Sequence, residues 1–209
     1  MLARFSEKRT DAVAEMKPAS IEKVSPVVVG VTGHRILADV ERIRSGVALV
    51  LNHIEASFHG RSLIVVSSLA EGADRIVVEE ALKRSGASLE VILPMPRGEY
   101  ERDFPDKKSK NEFEELMKRA ASVQELPPQE DRGASYGAAG LRVLDRSEVL
   151  LAVWDGKAEQ GQGGTGEIVS LARSRHLPIA RVHAGNRKPG TKEATSLGQA
   201  QGGVTLEGF

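Results

Sequence analysis

The chain has no cysteine, which excludes a disulfide framework, a thiolate metal site and a cysteine nucleophile. Aromatic residues are scarce: one Trp, two Tyr and five Phe among 209 residues. Net charge is missing as well, because twenty-nine basic residues balance twenty-nine acidic ones. No summed field therefore draws the chain to nucleic acid or to an anionic membrane. A neutral chain without a basic, aromatic-rich groove also speaks against single-strand DNA as a partner. No apolar run approaches membrane-spanning length, and the N-terminal MLARFSEKRTDAVAEMK carries acidic residues where a signal peptide needs an apolar stretch. The five histidines are scattered, with no His-x-x-x-His or Glu-x-x-His pair, so no metal site is expected. The composition reads as a soluble, cytoplasmic protein without a metal or a resident cofactor.

What is present is a steady alternation of patterns. SPVVVGVTG is a β-branched run that stops at Gly33, the kind of strand that is buried on both faces. Val40, Ile43, Val47, Leu51 and Ile54 then recur at spacings of three and four, the stripe of an amphipathic helix. RSLIVVSSLAEGADR repeats the unit: a strand through Val66, a turn containing Gly72, then a helix with Ile76, Val77 and Ala81 inward and Gly86 as its C-cap. SLEVILPMP is a third strand closed by prolines, and Ser109 with Glu112 reads as the capping box of a helix carrying Phe113, Leu116, Met117 and Ala120. SVQELPP, a short helix from Tyr136 to Asp145, the apolar strand EVLLAVWDG, a helix after GQGGTG and a last strand PIARVHA complete the series. From Gly185 onward the sequence is rich in Gly, Lys, Thr and Gln without a period, which reads as a flexible tail. The expected organisation is an N-terminal arm over residues 1–25, one Rossmann-like domain over 26–184 and a tail over 185–209.

Alternating strands and helices of this length imply right-handed crossovers and an α/β, doubly wound, mainly parallel sheet with helices on both faces. Ligands of such sheets collect at the carboxyl ends of the strands, near the point where strand order reverses. That rule selects Thr32, Gly33, His34 and Arg35; Ser67, Ser68, Leu69, Ala70, Glu71, Gly72 and Asp74; Arg97; and Asp155 with Gly163, Gly164, Thr165, Gly166 and Glu167.

GQGGTG, residues 161–166, satisfies G-x-G-x-x-G. A dinucleotide fingerprint follows the first strand and is answered by an acidic residue roughly 20 positions on. Here the match follows a late strand after the polar DGKAEQ, and Asn186 stands about 20 positions on, so the dehydrogenase reading fails. What survives is general: glycines opening a helix leave amides free at the positive end of its dipole, where an anion sits well. His34, Arg35 and Arg97 are candidate cationic partners, since Arg grips phosphate with two parallel hydrogen bonds. Tyr100 and Tyr136 either stack on a base or anchor helices to the sheet. Structural roles compete for the others: Thr165 or Asp74 as helix caps, Asp155 in an Asx turn, Trp154 in the core.

Taken together, GVTGHR, SSLAEGADR, LPMPRGEYERDF, YGAAGLRVLDRSEVLLAVWDGK and GQGGTGEIVSLARSRHLPI resemble the SLOG superfamily of Rossmann-like domains found in many uncharacterised bacterial proteins. The resemblance spans roughly Pro26 to Ala184 and implies a nucleotide or nucleotide-derived ligand. Its members include the LOG enzymes, which hydrolyse the N-glycosidic bond of nucleoside monophosphates, the DNA-processing protein A fold, molybdenum-cofactor carriers and nucleotide-sensing domains. Members commonly dimerise, which implies a homodimer here, although no self-complementary patch stands out.

LOG enzymes carry P-G-G-x-G-T-x-x-E. Matching those glycines to Gly163, Gly164 and Gly166 puts Gln162 at the proline, Glu167 at the threonine and Ser170 at the glutamate. The expected carboxylate is absent from its place, and Glu167, three positions earlier, points about 60° away around a regular helix. Glu71 and Glu167 are the candidate catalytic carboxylates for stabilising oxocarbenium charge on a ribose, with Asp74 a further source on the facing loop. The expectation is therefore binding or sensing of a nucleotide-type ligand at the carboxyl edge of the sheet. A LOG-like phosphoribohydrolase or N-glycosidase acting on a nucleoside monophosphate or an NAD-related nucleotide is the alternative.

Overall fold

A computed structural model describes residues 25–157 and 163–209. The expected N-terminal arm up to residue 24, and Gly161 and Gln162 of GQGGTG, lie outside the described residues.

The apolar runs form the sheet. β1 (Val27–Gly33), β2 (Leu63–Ser67), β3 (Ser88–Leu93), β4 (Ser122–Glu125), β5 (Val149–Trp154) and β6 (Ile179–His183) are joined by β7 (Val204–Glu207) in the order β4-β3-β2-β1-β5-β6-β7. Every neighbouring pair is parallel except β6 with β7. β1 is central, pairing Val29 with Val65 of β2 on one side and with Val149 of β5 on the other. All six residues of β5 are buried, as a strand covered on both faces requires.

Helices α1 (Val40–Ser57), α2 (Ala73–Ala81) and α4 (Lys107–Lys118) share one core with β1, β2, β3 and β5. The short α3 (Arg97–Tyr100) places Tyr100 in that core. On the opposite face, α5 (Arg132–Arg146) and α6 (Thr165–Ser174) bury Val143, Leu144, Ile168, Val169 and Ala172. In α1 the buried stripe is Ile43, Val47, Val50, Leu51 and Ile54, while Val40 is exposed. Each fully buried Leu or Ile contributes about 1.5–3 kcal/mol relative to exposure. The expected α/β, doubly wound, mainly parallel sheet with helices on both faces is the observed fold.

Three expectations need correction. The helix expected to begin with a capping box at Ser109 begins at Lys107: Asp106 is the N-cap and accepts the Ser109 amide proton at 2.8 Å. Asp is as good a cap as Ser, and being three residues earlier it also frees the Ser109 hydroxyl. Leu82, not Gly86, is the C-cap of α2. The segment from Gly185 is not a free tail. β7 adds an antiparallel edge to β6, with Arg181 opposite Thr205, and Arg187 bridges Ala194 in a hairpin. Pro189 and Gly190 (φ 72°) close that hairpin with a bond from the Thr191 amide to Lys188 O at 3.1 Å, the requirements of a type II turn. Gln201, 3% exposed, fastens the hairpin base: its oxygen accepts the amide protons of Gly185 (2.9 Å) and Leu197 (3.0 Å), and its amide donates to Ala38 O at 2.8 Å.

Candidate functional site

Because β1 is followed through α1 by β2 on one side and paired with β5 on the other, the connections leave its carboxyl end in opposite directions and open a crevice there. A cavity of about 980 Å³ occupies it. The end of β1 supplies Thr32, Gly33, His34 and Arg35 to its wall; the β2–α2 loop supplies Ser68, Ala70, Glu71 and Asp74; the segment after β5 supplies Asp155; and the start of α6 supplies Gly163, Gly164, Thr165 and Gly166.

The β1 and β2 loops meet through one glycine. Gly72 has φ 77° and ψ −116°, and a Cβ there would stand 2.3 Å from Arg35 O. No other residue permits that backbone and that approach together. The Ala73 amide then donates to His34 O at 3.0 Å.

Asp74, 6% exposed, accepts from the Ser67 hydroxyl at 2.8 Å and from the Ser68 amide at 3.1 Å. Burial pushes its carboxyl above the usual range, against the downward pull of these hydrogen bonds and of Arg35. Arg35 lies with its guanidinium 4.6 Å from the Tyr136 ring centre, and the Tyr136 hydroxyl donates to Asp103. Partial desolvation opposes the charge of Arg35, which is exposed, but Tyr100, Tyr136 and Asp103 outweigh it and strengthen its hold on the proton. His34, 9% exposed, places Nε2 3.2 Å from the Asp155 amide and 3.3 Å from the Asp155 carboxylate. Burial lowers its pKa despite that carboxylate, and the Asp155 amide donates to Nε2.

At α6 the first helical bond runs from the Ile168 amide to Gly164 O at 3.2 Å. The amides of Thr165, Gly166 and Glu167 precede it and carry the positive end of the helix dipole. Glu167 itself turns back to accept the Gly163 amide proton at 2.6 Å.

Five of the expected residues do not line the cavity. Ser67 and Leu69 are fully buried, Ser67 positioning Asp74 and Leu69 packing in the core with φ 55°. Gly72 acts as the contact between loops. Arg97 is turned to Glu101, at 2.5 Å, and to the Phe113 ring. Glu167 is committed to its own loop. Glu71 lines the cavity but accepts a hydrogen bond from Ser109. Trp154, read as core, is 5% exposed and touches the cavity from within the α6 core. Asp103 and the hairpin residues Asn186, Arg187 and Lys192 line the cavity without having been singled out for it, and Tyr136, read as a stacking residue or an anchor, lines it too. The hairpin had a signal: K-P-G-T is turn chemistry, not merely polar composition.

Among the described residues no cluster of His, Asp and Glu could hold a metal ion, and no helix is long and apolar enough to cross a membrane.

The strand order, the crevice at the switch point and the helices on both faces define a Rossmann-like α/β protein. No family model matches the chain, and no curated protein matches it. Among solved structures it is similar to the X-ray structure of TM1055, at 14% identity over 73% of this chain and 72% of that one, with a TM-score of 0.45. It is also similar to the Moco carrier protein from Chlamydomonas reinhardtii, at 20% identity over 74% of each chain, with a TM-score of 0.42. At these identities the likeness is one of fold alone.

Proposed function

We propose that the chain is a SLOG-type domain that binds a nucleotide or nucleotide-derived ligand in the switch-point crevice and does not cleave it. The observation that carries this reading is the opening of α6's first turn into a cavity of about 980 Å³ at the carboxyl ends of β1 and β5. First-turn amides without an acceptor among the described residues suit a phosphate, and the volume suits a molecule of nucleotide size. The Asp103 carboxylate on the cavity wall suits a ribose hydroxyl as donor.

Binding is favoured over hydrolysis by the engagement of the candidate carboxylates. Glu167 is held by the Gly163 amide, and Glu71 by Ser109. An oxocarbenium ion would need one of them free and close to the ribose.

Thr165→Asp tests the reading. An acidic residue in the first turn of α6 complements the dipole and preserves the fold, but its charge repels a phosphate seated on the same amides. Calorimetric titration with AMP, ADP-ribose and NAD should show at least one ligand bound by the wild type and bound at least about tenfold more weakly by the variant, with an unchanged melting temperature. Equal affinities would remove the α6 start from the site. Chromatography of each mixture should recover the ligand intact; free base would establish the hydrolase instead.

A further inference from the structure

The crevice is polarised along the sheet. The loops after β2 and β3 bring Glu71, Asp74 and Asp103 to its wall, and the end of β1 brings Arg35. The segments after β5 and β6 bring Lys157, Arg187 and Lys192, with Asp155. Lys157 leans toward Asp155 at 3.7 Å. Among the described residues, no carboxylate lies within ion-pair distance of Arg187 or Lys192, although their neighbour Lys188 is paired with Glu193 at 2.5 Å. Most cations elsewhere on the surface are paired, as Arg132 is with Asp103 and Arg173 with Glu207.

These two cations are also held in place before any ligand arrives. The Arg187–Ala194 bridge, the turn at Pro189-Gly190, the bonds from Thr195 to Asn186 O and the Gln201 anchor fix the hairpin backbone. Two exposed cations on an ordered hairpin at the rim of a cavity form a ready anion receptor, since little backbone entropy remains to be lost on binding.

We infer that the 186–195 hairpin is a second anion subsite, which receives the distal phosphate of a nucleoside diphosphate-type ligand whose sugar faces the acidic wall. The inference rests on the nucleotide reading above and adds the ligand's phosphate count and its direction along the sheet. The Glu71 and Asp103 carboxylates repel a phosphate, while the hairpin and the α6 start attract one, so a ligand with two phosphates has one favoured orientation.

The test is titration of wild type and an Arg187→Ala/Lys192→Ala double variant with AMP, ADP and inorganic tripolyphosphate at fixed ionic strength. Wild type should bind ADP about tenfold or more tightly than AMP, and the double variant should bring that ratio close to one without a change in melting temperature. A control that removes two cations at the C-terminal ends of α2 and α4, Lys83→Ala/Lys118→Ala, on the opposite edge of the sheet from the crevice, should leave the ratio as in wild type. If both nucleotides bind wild type with equal affinity, or the ratio survives the double substitution, the subsite is overturned while the nucleotide reading stands. If neither nucleotide binds but tripolyphosphate does, and the double variant loses it, the anion subsite stands and the nucleotide reading falls. Binding of none of the three overturns both.

Discussion

The Glu167 carboxylate accepts the amide proton of Gly163, four residues earlier, at 2.6 Å. The contact lies one residue outside a capping box: a glutamate at the third helical position reaches past the N-cap Gly164 to the amide of the residue before it. A side chain placed three positions from the glutamate expected of a LOG enzyme thus holds the loop that presents the α6 amides.

Glu167→Ala should lower stability by about 1 kcal/mol, the usual size of a lost cap, while Glu167→Gln should restore most of it, because the glutamine oxygen also accepts the amide proton. Chemical denaturation of both variants measures this. Equal losses in the two would mean that charge, not the hydrogen bond, is what matters there.

Gln201 should be costly to remove. Gln201→Ala strands the amides of Gly185 and Leu197 and the carbonyl of Ala38. Each buried group left unsatisfied costs about 1–3 kcal/mol, some of which water recovers, so the expected loss is on the order of 2–4 kcal/mol. Trypsin should then cut after Arg187 or Lys192 well before it cuts the sheet. A variant as stable and as protease-resistant as wild type would refute the anchor.

Asp74 sets a pH dependence. Burial raises its folded-state carboxyl above the unfolded value, so the folded chain holds that proton more tightly than the unfolded chain does. Its contribution therefore favours folding at low pH and is lost as pH rises from the ordinary carboxylate value through the raised one. Asp74→Asn keeps an oxygen to accept from Ser67 and Ser68 and has no charge to bury. Stability curves should show the variant gaining on wild type from about pH 4 upward and the two converging below it. A constant difference across pH would show that Asp74 does not titrate in this window.

The sheet was legible because its signals are local. The apolar VLLAVW of β5 can be buried only on both faces, and the three-and-four spacing from Ile43 to Ile54 has no other economical reading. The first two loops of the site were legible because they end strands. What the sequence hid depends on contacts across the fold. Asp103 and Tyr136 are 33 residues apart and meet only when α5 packs beside the segment after α3. The hairpin was taken for a tail because its order comes from Gln201, a residue that carries no pattern by itself and acts by reaching Ala38, 163 positions away. Arg97 was chosen for its position at a strand end, but the turn of α3 directs it to Glu101.

The pairing of β1 with β5 also dictates when the crevice can exist during folding. His34 and Asp155, on its two lips, are separated by 121 positions, so neither half of the chain holds a site and no local hairpin can foreshadow one. Long-range parallel pairing is slow, because chain closure must precede the contacts that reward it. Binding at the proposed crevice would therefore report completion of the central strand pair.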